Sequence, residues 1–117
     1  MCDTKAMLEE QCKRIRNELV ERAEDGFVTV NEDGDEEYYL DDILTTDYIW
    51  RVGVGLVGVR LMVAFGGPNI WIDTFDEEVQ GFWGGDVVKV PIPRDTCAEI
   101  DDYFEMYAQS DIANDMR

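Results

Sequence analysis

Residues 48–92, YIWRVGVGLVGVRLMVAFGGPNIWIDTFDEEVQGFWGGDVVKVPI, decide the fold. Tyr48–Val54 and Val57–Phe65 are rich in β-branched and aromatic side chains, which suit a pleated, half-buried surface. Gly53, Gly55 and Gly58 predict a tight turn near Gly55, or bulges. Gly66-Gly67-Pro68-Asn69 is a turn by composition. Ile70–Thr74 predicts a strand, Phe75–Glu78 a turn, and Val79–Trp83 a strand that pairs back. Gly84-Gly85-Asp86 turns the chain again. Val87–Ile92 predicts a last short strand, at an edge because Pro91 cannot donate to a ladder.

Outward from this stretch, Phe27–Val30 and Glu37–Leu40 predict a hairpin around Asn31–Glu36, with Asp33-Gly34 as its turn signal. Asp41–Leu44 predicts a short helical turn or a loop. Residues 4–24 predict a helix, because Leu8, Cys12, Ile15, Leu19 and Ala23 step by 4, 3, 4 and 4 along one apolar stripe. Asp3 is its expected N-cap and Gly26 its expected stop. Glu9–Lys13 and Glu18–Arg22 stand at i,i+4 on its solvated faces. Residues 94–109 predict a second helix after Pro93, with Thr96 and Glu99 as a capping box. Cys97, Ile100, Phe104 and Tyr107 form its expected buried stripe, and Asp95, Glu99 and Asp102 its outer face, with Asp101 and Glu105 beside them. Residues 110–117 read as a polar, frayed tail. The expectation is one α+β domain over residues 1–117. In it an antiparallel sheet of about 5–6 short strands is flanked by an N-terminal and a C-terminal helix that cover one face.

Composition narrows the chemistry. The chain has no histidine, the commonest general base and transition-metal ligand, and one serine, Ser110, in the expected tail. Cys2, Cys12 and Cys97 lack metal or redox spacing, and Cys12 and Cys97 fall on apolar helical stripes. Asn31, Asp33, Asp35, Glu37, Tyr39 and Asp42 follow a calcium-loop register. Glu36 stands where the sharp turn needs glycine, and the flanks predict strands. No two of the 27 acids are marked as a catalytic pair. Gly66-Gly67-Pro68 and Gly84-Gly85 lack the Lys-Ser/Thr of a phosphate loop. These readings predict no enzyme, no cofactor and no metal site. No run of 18 apolar residues is present, and no apolar stretch follows the N-terminus, so a cytoplasmic protein without a membrane span is expected.

The charge is the positive signal. The net charge is −17, and residues 1–22 contribute none of it, with five acids and five bases. From Ala23 to Trp50 there are ten acids and no base. Self-repulsion on this scale costs stability, which points to a use, and a negative surface repels nucleic acid. The acids gather in three segments. The first holds Asp33, Asp35, Glu36, Glu37, Asp41 and Asp42; the second, Asp76, Glu77 and Glu78; the third, Asp101, Asp102 and Glu105. A row of carboxylates imitates a nucleic-acid backbone and would be steered to an Arg- and Lys-lined groove. These twelve are the candidate partner-binding residues, the partner being a basic protein surface. Simple solvation is the competing reading. A basic patch at Lys13, Arg14 and Arg16 and anchoring by Trp50, Trp71 and Trp83 also remain open, as does the oligomeric state.

Val59–Thr74 followed by Gly81–Asp86 resembles small phage-borne proteins. With its acidity, its length and no catalytic residues, the chain resembles the small inhibitors that phages and mobile elements encode. These are the anti-CRISPR and anti-restriction proteins, several of which mimic nucleic acid. The resemblance implies a role, binding a host defence nuclease such as a CRISPR effector and blocking DNA or guide access. It transfers no functional residue. The alternative is a phage structural or assembly protein, or an antitoxin-like module, that uses an exposed sheet face or edge.

Overall fold

The computed structural model describes the backbone of residues 4–115 and their side chains other than those of residues 41–42, 106–107 and 109–115. Helix α1 (Thr4–Ala23) leads into a hairpin of β1 (Val28–Val30) and β2 (Glu36–Tyr38), followed by a 3-10 turn at Tyr39–Asp42. Five strands then succeed one another: β3 (Thr45–Arg51), β4 (Gly55–Ala64), β5 (Asn69–Asp73), β6 (Glu78–Trp83) and β7 (Asp86–Pro91). Helix α2 (Arg94–Asp115) closes the chain. The five strands form an antiparallel meander in sequence order, and β1 and β2 form a separate two-stranded sheet. The class is α+β, as the strand pattern predicts.

Strand alternation sorts the meander into two faces. Register aligns Leu61, Ile72, Val79 and Val90 in one row and Ile70, Gly81 and Val88 in the next. This is the core face, and Leu8, Cys12 and Leu19 of α1 and Cys97, Ile100 and Phe104 of α2 join the same buried cluster. Burying each such side chain is worth ~1.5–3 kcal/mol relative to exposure. Helix α1 approaches closely at Gly81, where a Cβ would lie 2.7 Å from Cys12 Sγ and 2.8 Å from Leu8 Cδ1. Phe27 fills the core beyond the end of α1, fully buried and edge-on to Tyr103. Its φ of 65°, after Gly26 at the same value, turns the chain off the helix. No helix covers the opposite face of the sheet among the described residues.

Several expectations are corrected. The strands divide into two sheets, because β1 and β2 are three residues each, largely exposed, and paired only with each other. Helix α2 begins at Arg94 as expected, but its cap is Pro93, whose carbonyl accepts the Cys97 N–H at 3.1 Å. Thr96 is therefore a buried residue of the first turn and not the cap. The helix also runs to Asp115, past the frayed tail expected from residue 110. In α1, Lys13 pairs with Glu9 at 3.1 Å. Glu18 instead accepts the Tyr39 hydroxyl at 2.7 Å, and Arg22 lies over the Tyr39 ring. Cys2, Asp3 and the side chains of Asp41, Asp42 and Tyr107 lie outside the described residues.

Candidate functional site

The β5–β6 turn builds the site. Asp73 Oδ1 accepts the Asp76 N–H at 2.9 Å, a local side-chain bond that folds the chain back within four residues. Glu77 takes φ 58°, which costs a non-glycine residue about 1–3 kcal/mol. Its carbonyl accepts the Ile92 N–H at 2.8 Å, which fastens the turn to the lead-in of α2. Thr74, beside it, is buried; its hydroxyl accepts the Val59 N–H at 2.8 Å and donates to Asp101 Oδ1 at 2.6 Å. A turn and a helix 27 residues apart are thus joined by one side chain. This brings the second and third acidic segments together at one end of the sheet.

Phe75, next to Asp76 in the chain, is exposed at 48%. Its backbone presses on Gly58, where a Cβ would fall 2.8 Å from Phe75 Cβ and 3.1 Å from its Cα, so only glycine fits. Asp76, Asp102 and Glu105 are exposed. Glu77 faces Arg94 at 3.7 Å and Glu78 faces Lys89 at 3.8 Å, long pairs of low worth in solvent. Asp101 differs from its neighbours. It is half-buried, and its carboxyl is raised above the usual range by burial, opposed by the Thr74 bond and assisted by Asp102 and Glu105. The outward placement expected from helix spacing is corrected for this residue: it faces Thr74. The Cys97 thiol is pushed up to about 12, by burial first and then by Glu77, Asp101 and Asp73, so these acids act on one point of the core.

The first segment stays apart, on the hairpin. Asp33, Asp35, Glu36 and Glu37 are exposed. Asn31 Oδ1 accepts the N–H groups of Asp33 and Asp35, both at 3.0 Å, so the oxygen that opens the calcium register serves its own turn. Among the described residues no three His, Cys, Asp or Glu side chains stand together as metal ligands.

The sheet's uncovered face carries a second feature. Arg60 lies 4.4 Å over the Trp71 ring, 3.2 Å from Asp73 and 3.2 Å from Gln80. Met62, Phe82 and Val87 flank this network with partly or largely exposed side chains. Of the three tryptophans left open by the sequence, Trp50 and Trp83 are exposed and Trp71 is half-buried beneath Arg60.

No protein-family model, curated protein or solved structure matches this chain. Function is therefore argued from its own geometry. No described helix is long and apolar enough to cross a membrane. Sequence reasoning found the acids and missed Phe75 and Thr74. The signal for Phe75 was present, an aromatic in an acidic turn that has no packing need for one. The signal for Thr74 was absent, since no spacing rule links it to Asp101.

Proposed function

We propose that the protein is a non-enzymatic inhibitor whose acidic surface occupies a basic, nucleic-acid-binding groove of another protein in a bacterial cytoplasm. The target class is a host defence nuclease, foremost a CRISPR effector, denied its DNA or guide. The observation that carries this reading is the joining of two acidic segments at one end of the sheet by the Thr74–Asp101 bond, with exposed Phe75 next to Asp76 in the chain. An exposed aromatic beside a charged turn can anchor a partner, and the surrounding charges speed encounter.

The test is capture of guide-free and guide-bound effectors by the tagged protein at low and high salt. Capture that high salt abolishes, and that reversal of Asp76, Asp102 and Glu105 to Lys also abolishes with an unchanged circular dichroism spectrum, supports the reading. Capture that survives reversal of every segment overturns it. A second reading rests on the uncovered sheet face with Trp71, Phe82 and Val87, which suits an assembly or antitoxin-like contact. Binding through that face would persist at high salt.

A further inference from the structure

A groove of about 490 Å³ opens between α1, the β1–β2 hairpin and the sheet. It exists because β1 and β2 pair only with each other, so the hairpin stands off the meander. Its apolar walls come from separate elements: Ile15 from α1, Leu40 and Ile43 from and after the 3-10 turn, and Val63 and Ile72 from the sheet. A concavity of this volume, part apolar and part polar in its lining, has the size of a small binding site. Its rim is polar, with Glu37, Tyr38 and Tyr39 on the hairpin side and Arg22 on the helix side.

Charge identifies the occupant. Glu37 is exposed, as are Glu36 and Asp35 next to it in the chain. Glu18 stands behind the rim, where it accepts the Tyr39 hydroxyl. The one rim cation, Arg22, lies on the Tyr39 ring at 5.2 Å from its centroid. An anionic ligand would meet these carboxylates, whereas ammonium or guanidinium groups would find them and two tyrosine rings. We propose that the groove is an anchor site for an extended segment of the partner, one that inserts one or two apolar side chains and carries Lys or Arg on either side. The inference rests on the basic-partner reading above and gives the isolated first acidic segment its place in that interface.

The test titrates the full chain, isotopically labelled, with three capped hexapeptides at low salt: Lys-Arg-Leu-Leu-Arg-Lys, Lys-Arg-Ser-Ser-Arg-Lys and Ser-Ser-Leu-Leu-Ser-Ser. The first is expected to shift the Ile43 and Val63 methyl signals saturably. Both controls are expected to bind about tenfold more weakly or worse, since burial of a Leu side chain and charge complementarity each contribute on that scale. Filling the groove by Ile43→Phe should weaken the first peptide equally. Val63→Phe makes the same test if the first variant does not fold, and the peptide comparison needs neither. Equal binding of the serine peptide overturns the anchor and leaves the basic-partner reading standing. Equal binding of the uncharged peptide overturns the basic occupant. Failure of both basic peptides to bind overturns the inference and leaves the basic-partner reading, which rests on the other two acidic segments, to be decided by the effector capture.

Discussion

Thr74 and Asp101 show how much of the acidic surface hangs on one hydroxyl. Thr74→Val leaves the buried Val59 N–H without its side-chain acceptor and Asp101 without its donor. A loss of about 1–3 kcal/mol is expected, read as a lower urea midpoint at unchanged slope. Asp101→Asn has the opposite sign. The carboxyl is raised in the folded state, so folding favours its protonated form. That contribution is fully present below the unfolded value of about 3.9 and is lost as pH rises through the folded value. The amide keeps an acceptor for Thr74 and carries no charge beside Asp102 and Glu105. D101N should therefore be more stable than the parent at pH 7 and should converge with it near pH 4. Lower stability of D101N at pH 7 would mean that the charged bond to Thr74 outweighs burial and repulsion. The thiols give a further check at this scale. Burial raises Cys12, and Cys97 stands at about 12, so both stay protonated at pH 8. With Cys2 replaced by Ser, the native protein should resist a disulfide reagent until denaturant is added. Rapid labelling of either thiol without denaturant would show that α1 or α2 opens readily. The burial of Cys12 and Cys97 follows from their spacing along the apolar helical stripes, whereas the Thr74–Asp101 bond does not follow from spacing. The i,i+4 relation of Asp101 to Glu105 is visible in the sequence, whereas the hydroxyl that turns Asp101 inward comes from a distant turn.

At the scale of elements, the seating of α1 depends on an absent side chain. A Cβ at Gly81 would meet Cys12 Sγ and Leu8 Cδ1 well inside normal contact. Gly81→Ala should lift the helix and cost about 1–3 kcal/mol by thermal or urea unfolding. Cys12→Ala in that background removes the nearest atom and should recover part of the loss. A double-mutant cycle with no coupling would show that the helix does not bear on Gly81. The sequence made most of this frame legible. Alternation at Ile70, Trp71 and Ile72 foretells two buried and one outward side chain, and Pro91 foretells an edge strand. The 4, 3, 4, 4 stripe of α1 names its buried line. The failures share a cause, which is competition between local signals and tertiary contacts. Thr96 and Glu99 look like a capping box, yet the Pro93 carbonyl starts the helix three residues earlier. The separation of β1–β2 from the meander is set by which backbone edges meet, and their residue types are the same as those of a strand in the main sheet. The groove beneath the hairpin follows from that separation and was equally invisible.

For the whole molecule, salt should act on stability and on binding with opposite signs. The bases of the N-terminal 22 residues balance the acids there, so the full −17 falls on the hairpin, the sheet turns and α2. Those like charges repel across solvent at separations that screening governs. The Debye length falls from about 30 Å at 0.01 M to about 8 Å at 0.15 M. Only two of the described ion pairs, Arg60–Asp73 and Lys13–Glu9, are close to 3 Å, and Arg60–Asp73 is the one shielded from solvent. Screening therefore removes more repulsion than attraction, and the melting temperature should rise over that salt range. Association with a basic surface draws on the same field, so its rate and affinity should fall over the same range. A melting temperature that falls with salt would show that the acids are held by attractive contacts. A rising melting temperature with salt-independent binding would assign the interface to the uncovered sheet face around Trp71. Both trends together would mean that this protein tolerates its self-repulsion for the sake of an electrostatic partner.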